Sequence, residues 1–588
     1  MLNCNGNISY ILEGNLDLFI DKKNKSMNYY DISRLGFIYH IKGEFKKALS
    51  YYEMALNIGG QKDYLIYNNL AILFQQIRDE ERCNKIYFDI LANVKSDIIN
   101  INRATKFLSF RKYKDGLDYY KNLLKNEVSP FVADAFYNNF ANLHYNIGNI
   151  RTAQGLYNIG MELNQKSSTL LFNSIICDSY TNSIYDLKDK INRLNEFTFY
   201  IKNEKVNSFN NKENKKIRIA YVITDLKRSR KCSILNQLID LTDLNIYEVY
   251  IYTDTISENK ISKEIASKVN LINCYGYSEG YLANCIIKDK IDILIDLNEI
   301  SPRNRFSLIT LNLSAIKISW FSFSNIIIPN KYDLNLKITS SKISKYLPIP
   351  IIKESLINFD KFNKHKDYFY VGIIGDLKRL DSECIDNINI LLNYSERVRL
   401  VIQSITLDDI YIKENLINKL TSNGISVEKV EFYGKIKPYS KYLDLINKVD
   451  VVLIDHFGSD AVLSEAIFCN TLALVSDKNL ICKNIYENLN LNNLIFNSNN
   501  INIIFKNLLL NYELFKKNLD RNIIIKHNIE FSKEFFNLLF ILYSKNKKEK
   551  DHYVSFEKKY ILNYRNINSD WFCEINSCYG DILFLALF

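Results

Sequence analysis

His456 is the histidine best placed to act as a general base. It follows Asp455 directly after the apolar run 451–454, which has the composition of a buried parallel strand. Ligands of open α/β sheets bind at the carboxyl ends of the strands, so His456 would face that cleft and could accept a proton near neutral pH. A structural role for His456 is the competing interpretation. The remaining five histidines are spread along the chain at His40, His144, His365, His527 and His552.

The sequence offers no competing catalytic motif. It has no Walker loop, no GxGxxG after a strand, no HExxH and no GxSxG. We therefore predict no bound metal and no resident cofactor.

Composition excludes several classes of protein. The 588 residues carry 76 basic and 66 acidic side chains, interspersed along the chain, which argues against nucleic-acid binding. Eleven scattered cysteines without a CxxC pair indicate reduced thiols and a cytoplasmic protein. No signal peptide and no apolar stretch of membrane-spanning length is evident, so no membrane association is predicted. We attribute the many Asn, Ile, Lys and Tyr residues to an AT-rich genome.

The first third repeats with a period of about 35 residues, as tetratricopeptide repeats do. The segment 35–56, LGFIYHIKGEFKKALSYYEMAL, places small residues where two helices would cross and aromatics between them. The offsets recur in the segments 70–91, 104–124 and 140–163. We predict four helix pairs in an α-solenoid whose concave face binds a protein or peptide. Aromatics such as Tyr52 and Tyr157 are expected to lie in the core.

The remainder alternates apolar runs with helical patterns, which predicts two doubly wound, Rossmann-like lobes. Predicted strands of the first lobe are 217–223, 247–252, 291–296 and 316–320. Those of the second are 370–374, 399–403, 428–433, 451–454 and 472–475, with a helix at 461–468.

These patterns divide the chain into six parts. They are an N-terminal segment (1–29), the array (30–200), a polar linker (201–216), the first lobe (217–360), the second lobe with closing helices (361–543), and a tail (544–588). The closing helices could pack back across both lobes. The tail has an apolar end, and docking on the second lobe and contact with a partner both remain open.

Five segments, in this order, resemble the O-GlcNAc transferase family, bacterial members included. Together with the repeats, the resemblance covers residues 30 to about 543. It implies a glycosyltransferase B fold and sugar transfer from a UDP-sugar donor to Ser or Thr of a protein. The segments are IRIAYVITDL (217–226), DILIDLN (292–298), LSAIKISWF (313–321), GDLKRLD (375–381) and VDVVLIDHFGSDAVLSEAIFCNTLALV (449–475).

The resemblance implies several nucleotide-binding residues. Lys378 or Arg379 falls at the family's phosphate-binding lysine, where a cation would stabilise the leaving diphosphate. Glu465 aligns with the acid that holds the ribose hydroxyls. Lys441 falls at a histidine beside the base and phosphates. Solvated surface side chains are the competing interpretation for the basic residues.

Several family motifs are altered in this chain. The family's His-Thr-Thr at the phosphates is replaced by Asp460, Ala461 and Val462, and Asp460 is expected to cap the following helix and repel a diphosphate. The family's histidines after the first strand are missing in this chain. Glu299-Ile300 replaces the family's Gly-His or Gly-Tyr, and residues 322–326 replace its Gly-Tyr-Pro-Gly-Thr turn. Two hypotheses remain: an active glycosyltransferase, or a degenerate relative that acts as a peptide-binding scaffold or partner subunit.

Overall fold

The computed structural model describes residues 27–178, 216–298, 367–456, 460–519 and the strand 334–336, with short gaps. It also describes parts of 305–320 and 535–544 and the strands 572–577 and 580–585. The N-terminal residues 1–26, the linker 201–215, Glu299-Ile300, the turn 322–326 and residues 545–571 lie outside the described residues.

The array consists of helix pairs, as predicted. The first helices of the four pairs are α1 (Tyr29–Ile41), α3 (Tyr64–Gln76), α5 (Asp97–Ser109) and α7 (Ala133–Asn146). The second helices are α2 (Phe45–Asn57), α4 (Glu80–Lys85), α6 (Tyr113–Leu123) and α8 (Ile150–Leu163), and α9 (Ser168–Asp178) follows.

Close packing within each pair depends on a small residue at the crossing. A Cβ built on Gly36 would lie 2.8 Å from the ring of Tyr52. Tyr52 and Tyr157 are buried, as are Tyr87 and Tyr120 at the corresponding positions of the other repeats. The prediction that these aromatics are core residues is therefore confirmed.

The first lobe is a parallel sheet with strand order β3-β2-β1-β4-β5-β6. The short strands β3 and β6 were not predicted, because neither is a continuous apolar run. The elements are β1 (Ile217–Ile223), α10 (Arg230–Leu241), β2 (Tyr247–Thr253), α11 (Lys260–Ala266), β3 (Asn270–Asn273), α12 (Glu279–Lys288), β4 (Ile293–Asp296), β5 (Ile316–Trp320) and β6 (Leu334–Leu336).

The second lobe repeats this topology, with the order β12-β11-β10-β7-β8-β9. Its elements are β7 (Phe369–Ile374), α13 (Ser382–Tyr394), β8 (Val398–Gln403), α14 (Ile410–Ser422), β9 (Val430–Tyr433), α15 (Tyr439–Lys448), β10 (Val451–Ile454), α16 (Asp460–Phe468), β11 (Leu472–Ser476), α17 (Leu480–Asn488), β12 (Ile495–Phe496), α18 (Ile501–Leu510) and α19 (Tyr512–Lys517). In both lobes the strand order reverses beside the first strand, which creates a cleft at the carboxyl ends of the strands flanking the reversal. In the second lobe these strands are β7 and β10.

Two contacts join the parts of the chain. Phe535 and Leu539 lie in the core of the first lobe, and Tyr247 Oη donates to the carbonyl of Phe536 at 3.0 Å. On the other side, α5, α6 and α7 share one hydrophobic core with the second lobe. The closing segment thus packs onto the first lobe, and the array rests on the second lobe.

The end of the chain forms a hairpin of β13 (Phe572–Ser577) and β14 (Gly580–Leu585), which pair antiparallel. Strand β14 packs against α3, α5 and α7 of the array. Among the helices of the described residues, none is both long and apolar enough to cross a membrane.

We predict that Gly36→Ala lowers the free energy of unfolding by about 1–3 kcal/mol, the usual cost of overpacking, because the added methyl group meets Tyr52. Gly155→Ala in α8 is the matched control. A Cβ there has nothing within 4 Å, so this change should stabilise by about 0.4–1 kcal/mol. Urea unfolding of both full-length variants measures the difference, and equal effects at the two positions would contradict the packing account.

Candidate functional site

The candidate site lies where β7 and β10 end, at the reversal of strand order in the second lobe. Gly375 follows β7 with φ +118°, a left-handed conformation that glycine adopts without strain. Asp455 and His456 follow β10. The sequence thus placed His456 correctly at the carboxyl edge of the sheet.

His456 is paired with a carboxylate. Its Nε2 lies 3.1 Å from Oδ2 of Asp381, and the imidazole is 11% exposed. The same aspartate caps α13, because its Oδ1 accepts the backbone N–H of Cys384 at 2.8 Å. The thiol of Cys384 in turn donates to Asp455 at 3.2 Å. His456 is therefore fixed within a network of side chains.

This network changes the pKa values of both partners. Burial alone lowers the pKa of His456, but the hydrogen bond to Asp381 and the charges of Asp381, Asp455 and Glu383 outweigh burial and raise it above the ordinary value. Burial alone raises the pKa of Asp381, and the hydrogen bonds from His456 and the Cys384 N–H reverse this, so that it lies below its ordinary value. The pair is ionised on both sides in the weakly acidic range.

Asp381, Glu383 and His456 form the one group in the described residues whose donor atoms could hold a metal, all lying within 4.8 Å of one another. Each already has a protein partner. Glu383 Oε1 accepts from Lys478 at 2.7 Å and from Ser498 at 2.6 Å. The absence of a resident metal stays a prediction.

Lys378 is directed toward the array. Its Nζ lies 2.7 Å from Asp376 Oδ2, and its side chain is 9% exposed. The ammonium group also lies 4.0 Å from the ring centroid of Tyr145 in α7. Lys378 thus supports the contact between array and lobe, and its charge is already paired.

Arg379 remains the stronger candidate for a phosphate contact. Its guanidinium lies over Gly375, where an added Cβ would come within 3.4 Å of Nη1. Its Nε is buried and lacks a hydrogen-bond partner among the described residues. A half-buried guanidinium with an unsatisfied donor suits an anion.

Glu465 lies on α16 and is held by two tyrosines of α15. Tyr439 Oη donates to Oε1 and Tyr442 Oη to Oε2, both at 2.7 Å. Both carboxylate oxygens therefore accept hydrogen bonds within the lobe, and a contact of Glu465 with ribose hydroxyls stays a prediction. Lys441, on the same helix α15, is exposed.

Helix α16 begins at Asp460, one residue before the predicted start. The side chain of Asp460 and residues 457–459 lie outside the described residues, so its capping role stays a prediction. Free N–H groups in the first turn of a helix attract anions, and a carboxylate at this position competes for them.

The corresponding edge of the first lobe is tied together by internal hydrogen bonds. Asn298 Oδ1 accepts from the backbone N–H of Thr224 at 3.0 Å and from its hydroxyl at 2.6 Å. Arg305 bonds Asp254 at 2.6 Å and Glu279 at 2.9 Å. The side chains of Asn298 and Arg305 are therefore hydrogen-bonded within the first lobe.

Sequence analysis did not identify Asp381, Glu383 and the two tyrosines that hold Glu465. The acids were visible as the DSE that follows LKRL, but nothing in the sequence showed that they would meet His456, some 70 residues away.

We predict that Asp381→Asn lowers the pKa of His456, since the hydrogen bond and the charge of Asp381 are the largest influences that oppose burial. A histidine whose pKa is raised by folding stabilises the protein at pH values below its unfolded-state pKa of about 6.5. This stabilisation is lost as the pH rises through the folded-state pKa. The variant should therefore be destabilised more at pH 5.5 than at pH 9.

NMR titration of the His456 ring measures the pKa, and Glu383→Gln serves as the control with a smaller fall. An unchanged His456 pKa in Asp381→Asn would contradict the pairing.

Comparison with known proteins supports the fold. No model of a protein family matches the chain, and no curated protein matches it. Among solved structures, a mutant of the Thermobaculum terrenum O-GlcNAc transferase superposes with a TM-score of 0.63 at 13% identity, covering 89% of this chain and 98% of that chain.

Two further structures match parts of the chain. The Anabaena HepE protein, solved with UDP and glucose, covers 55% of this chain and 99% of its own at 12% identity and a TM-score of 0.37. YrrB, described as a tetratricopeptide-repeat protein with an unusual peptide-binding site, covers 32% of this chain and 93% of its own at 11% identity and a TM-score of 0.22. The first of these three matches confirms the predicted architecture: this chain shares the fold of an O-GlcNAc transferase, with a repeat array followed by two Rossmann-like lobes.

Proposed function

We propose that this protein binds an extended segment of another protein along its repeat array, and that its transferase-like body serves as a scaffold. The observation that carries the proposal is a ladder of asparagines on the first helices of successive repeats. Its members are Asn68, Asn102, Asn138 and Asn173.

The ladder connects the repeats through amide hydrogen bonds. Asn102 Nδ2 donates to Asn68 Oδ1 at 3.1 Å, and Asn173 Nδ2 donates to Asn138 Oδ1 at 2.8 Å. The neighbouring Asn139 joins the third and fourth repeats, since its Nδ2 donates to Thr105 Oγ1 at 3.0 Å. The result is a polar strip that continues from one repeat to the next.

Such a strip suits an extended polypeptide. A side-chain amide offers both donors and an acceptor, and these match the backbone C=O and N–H of a bound segment whatever its sequence. Recognition through the main chain is the usual mode for extended peptides. The spacing of one amide per repeat would hold the segment along the axis of the array.

The charges of the second lobe favour a scaffold over an enzyme. Three basic side chains at the edge of the cleft, Lys378, His456 and Lys478, are each paired with a carboxylate of the protein. A diphosphate would have to replace these carboxylates. Arg379 alone among the sequence-predicted phosphate contacts keeps a buried donor without a partner.

Sugar transfer from a UDP-sugar to Ser or Thr of the bound segment is the second candidate. Glu465 and Arg379 support it, because they supply a diol acceptor and a phosphate donor on the same lobe. His456 is a weak candidate for the base of this reaction, because its pairing with Asp381 raises its pKa and so favours the protonated form.

We predict that Asn102→Ala with Asn138→Ala lowers the affinity of the full-length protein for peptides selected from an arrayed library by roughly 10- to 30-fold, since each neutral hydrogen bond contributes about 1 kcal/mol. Gln75→Ala is the matched control, because it removes a comparable hydrogen bond between repeats, from Gln75 Nε2 to Ser109 Oγ at 2.7 Å. If the double variant and the control bind the same peptides equally well, the ladder is not the binding surface.

We predict that the unmodified protein binds UDP with a Kd of about 1 mM or weaker, which corresponds to a binding free energy of only about −4 kcal/mol. Replacing Asp460, Ala461 and Val462 by His, Thr and Thr should tighten binding about tenfold or more, because it removes a negative charge from the helix start and adds hydroxyl donors. Calorimetry with and without a chelator measures both proteins.

In the modified protein, Glu465→Ala should weaken UDP binding by about 1–3 kcal/mol if Glu465 holds the ribose. Tight, metal-independent binding of UDP by the unmodified chain would instead favour the active transferase.

A further inference from the structure

The C-terminal hairpin lies on the part of the array that carries the asparagine ladder. Strand β14 packs against α3, α5 and α7. These are the helices on which Asn68, Asn102 and Asn138 lie.

The ladder is buried despite its polarity. Asn68 is 0% exposed, and Asn102 and Asn138 are each 1% exposed. Buried amides need hydrogen-bond partners, and each amide of the ladder carries both donors and an acceptor. An extended strand packed on the ladder helices presents backbone N–H and C=O groups of the kind that amides bind.

Strand β14 has a backbone edge to offer. It pairs with β13 along one side, from Phe572↔Leu585 to Ser577↔Gly580, and the described residues contain no third strand in this sheet. The second edge of a two-stranded hairpin carries a row of backbone N–H and C=O groups that are not paired within the hairpin. The backbone groups at this edge of β14 are therefore chemically complementary to the side-chain amides of the ladder.

The surface of the array that carries the asparagine ladder is called the peptide groove below. The sequence of the strand indicates which segments this groove accepts. Strand β14 and the three residues after it in the sequence, 580–588, read GDILFLALF, with one acidic residue, no basic residue and mostly large apolar side chains. Such a segment readily forms a strand but is poorly soluble when exposed. It is also unlike the Lys- and Asn-rich sequence that precedes it, 545–570.

We propose that the C-terminal strand is an internal occupant of the peptide groove, and that the groove recognises extended, apolar segments of low charge that must displace it. This inference rests on the peptide-binding function proposed above and adds the class of partner and its regulation. A tethered segment acts at an effective concentration of about a millimolar. An external segment with an intrinsic Kd of tens of micromolar therefore binds roughly 10- to 100-fold more weakly while an equally tight tail is in place.

The test uses the full-length chain and a labelled peptide of residues 568–588 with Cys573 and Cys578 replaced by Ser. One variant carries Ile582→Pro and Phe584→Pro, because proline cannot donate to a strand and prevents β14 from forming. We expect this variant to bind the peptide about tenfold or more tightly than the unmodified chain does. Adding Asn102→Ala and Asn138→Ala should remove the gain, whereas adding Gln75→Ala should not.

Equal affinity of the unmodified chain and the proline variant, or failure of the peptide to bind either, would overturn the internal occupant. The arrayed library separates this result from failure of the groove itself. If library peptides still bind in a ladder-dependent manner, the proposed function stands and the tail proposal alone fails. If no library peptide binds the proline variant, both fail.

Discussion

A polar group that a fold buries must find a partner inside the molecule, and this constraint shapes both halves of the protein. In the array it produces a strip of asparagine amides and a threonine hydroxyl that hydrogen-bond between neighbouring repeats. In the second lobe it produces ion pairs at the ends of β7 and β10. The first arrangement suits a bound polypeptide backbone, whereas the second consumes the positive charge that a nucleotide diphosphate would need.

The fold could be predicted from the sequence because its signals are periodic. Small residues recur at each helix crossing, and the buried parallel strands are continuous apolar runs, as in 217–223 and 451–454. Short strands such as β3 and β12 were not predicted, since two to four residues at the edge of a sheet do not form a long apolar run. The strand order 3-2-1-4-5-6, which both lobes share, follows from the fold class but could not be predicted from any single segment of the sequence.

The candidate site was predictable only in part. His456 could be placed because it directly follows a strand, but its pairing with Asp381 depends on how two lobe segments pack. Lys378 matched a phosphate-binding position, yet it contacts Tyr145 of the array. The asparagines were attributed to genome composition, and that explanation concealed four positions one repeat apart. Counting Asn at the repeat period would have revealed the ladder.

In the proposed function, the array is the binding surface and the lobes support it. Hydrogen–deuterium exchange of the full-length protein, with UDP and separately with a library-selected apolar peptide, tests this division most directly. We expect the peptide to protect segments of α3, α5 and α7 and to change exchange in β14, while UDP leaves exchange around residues 375–384 and 455–468 unchanged. Protection of those two segments by UDP, with no effect of any peptide on the array, would contradict the proposed function.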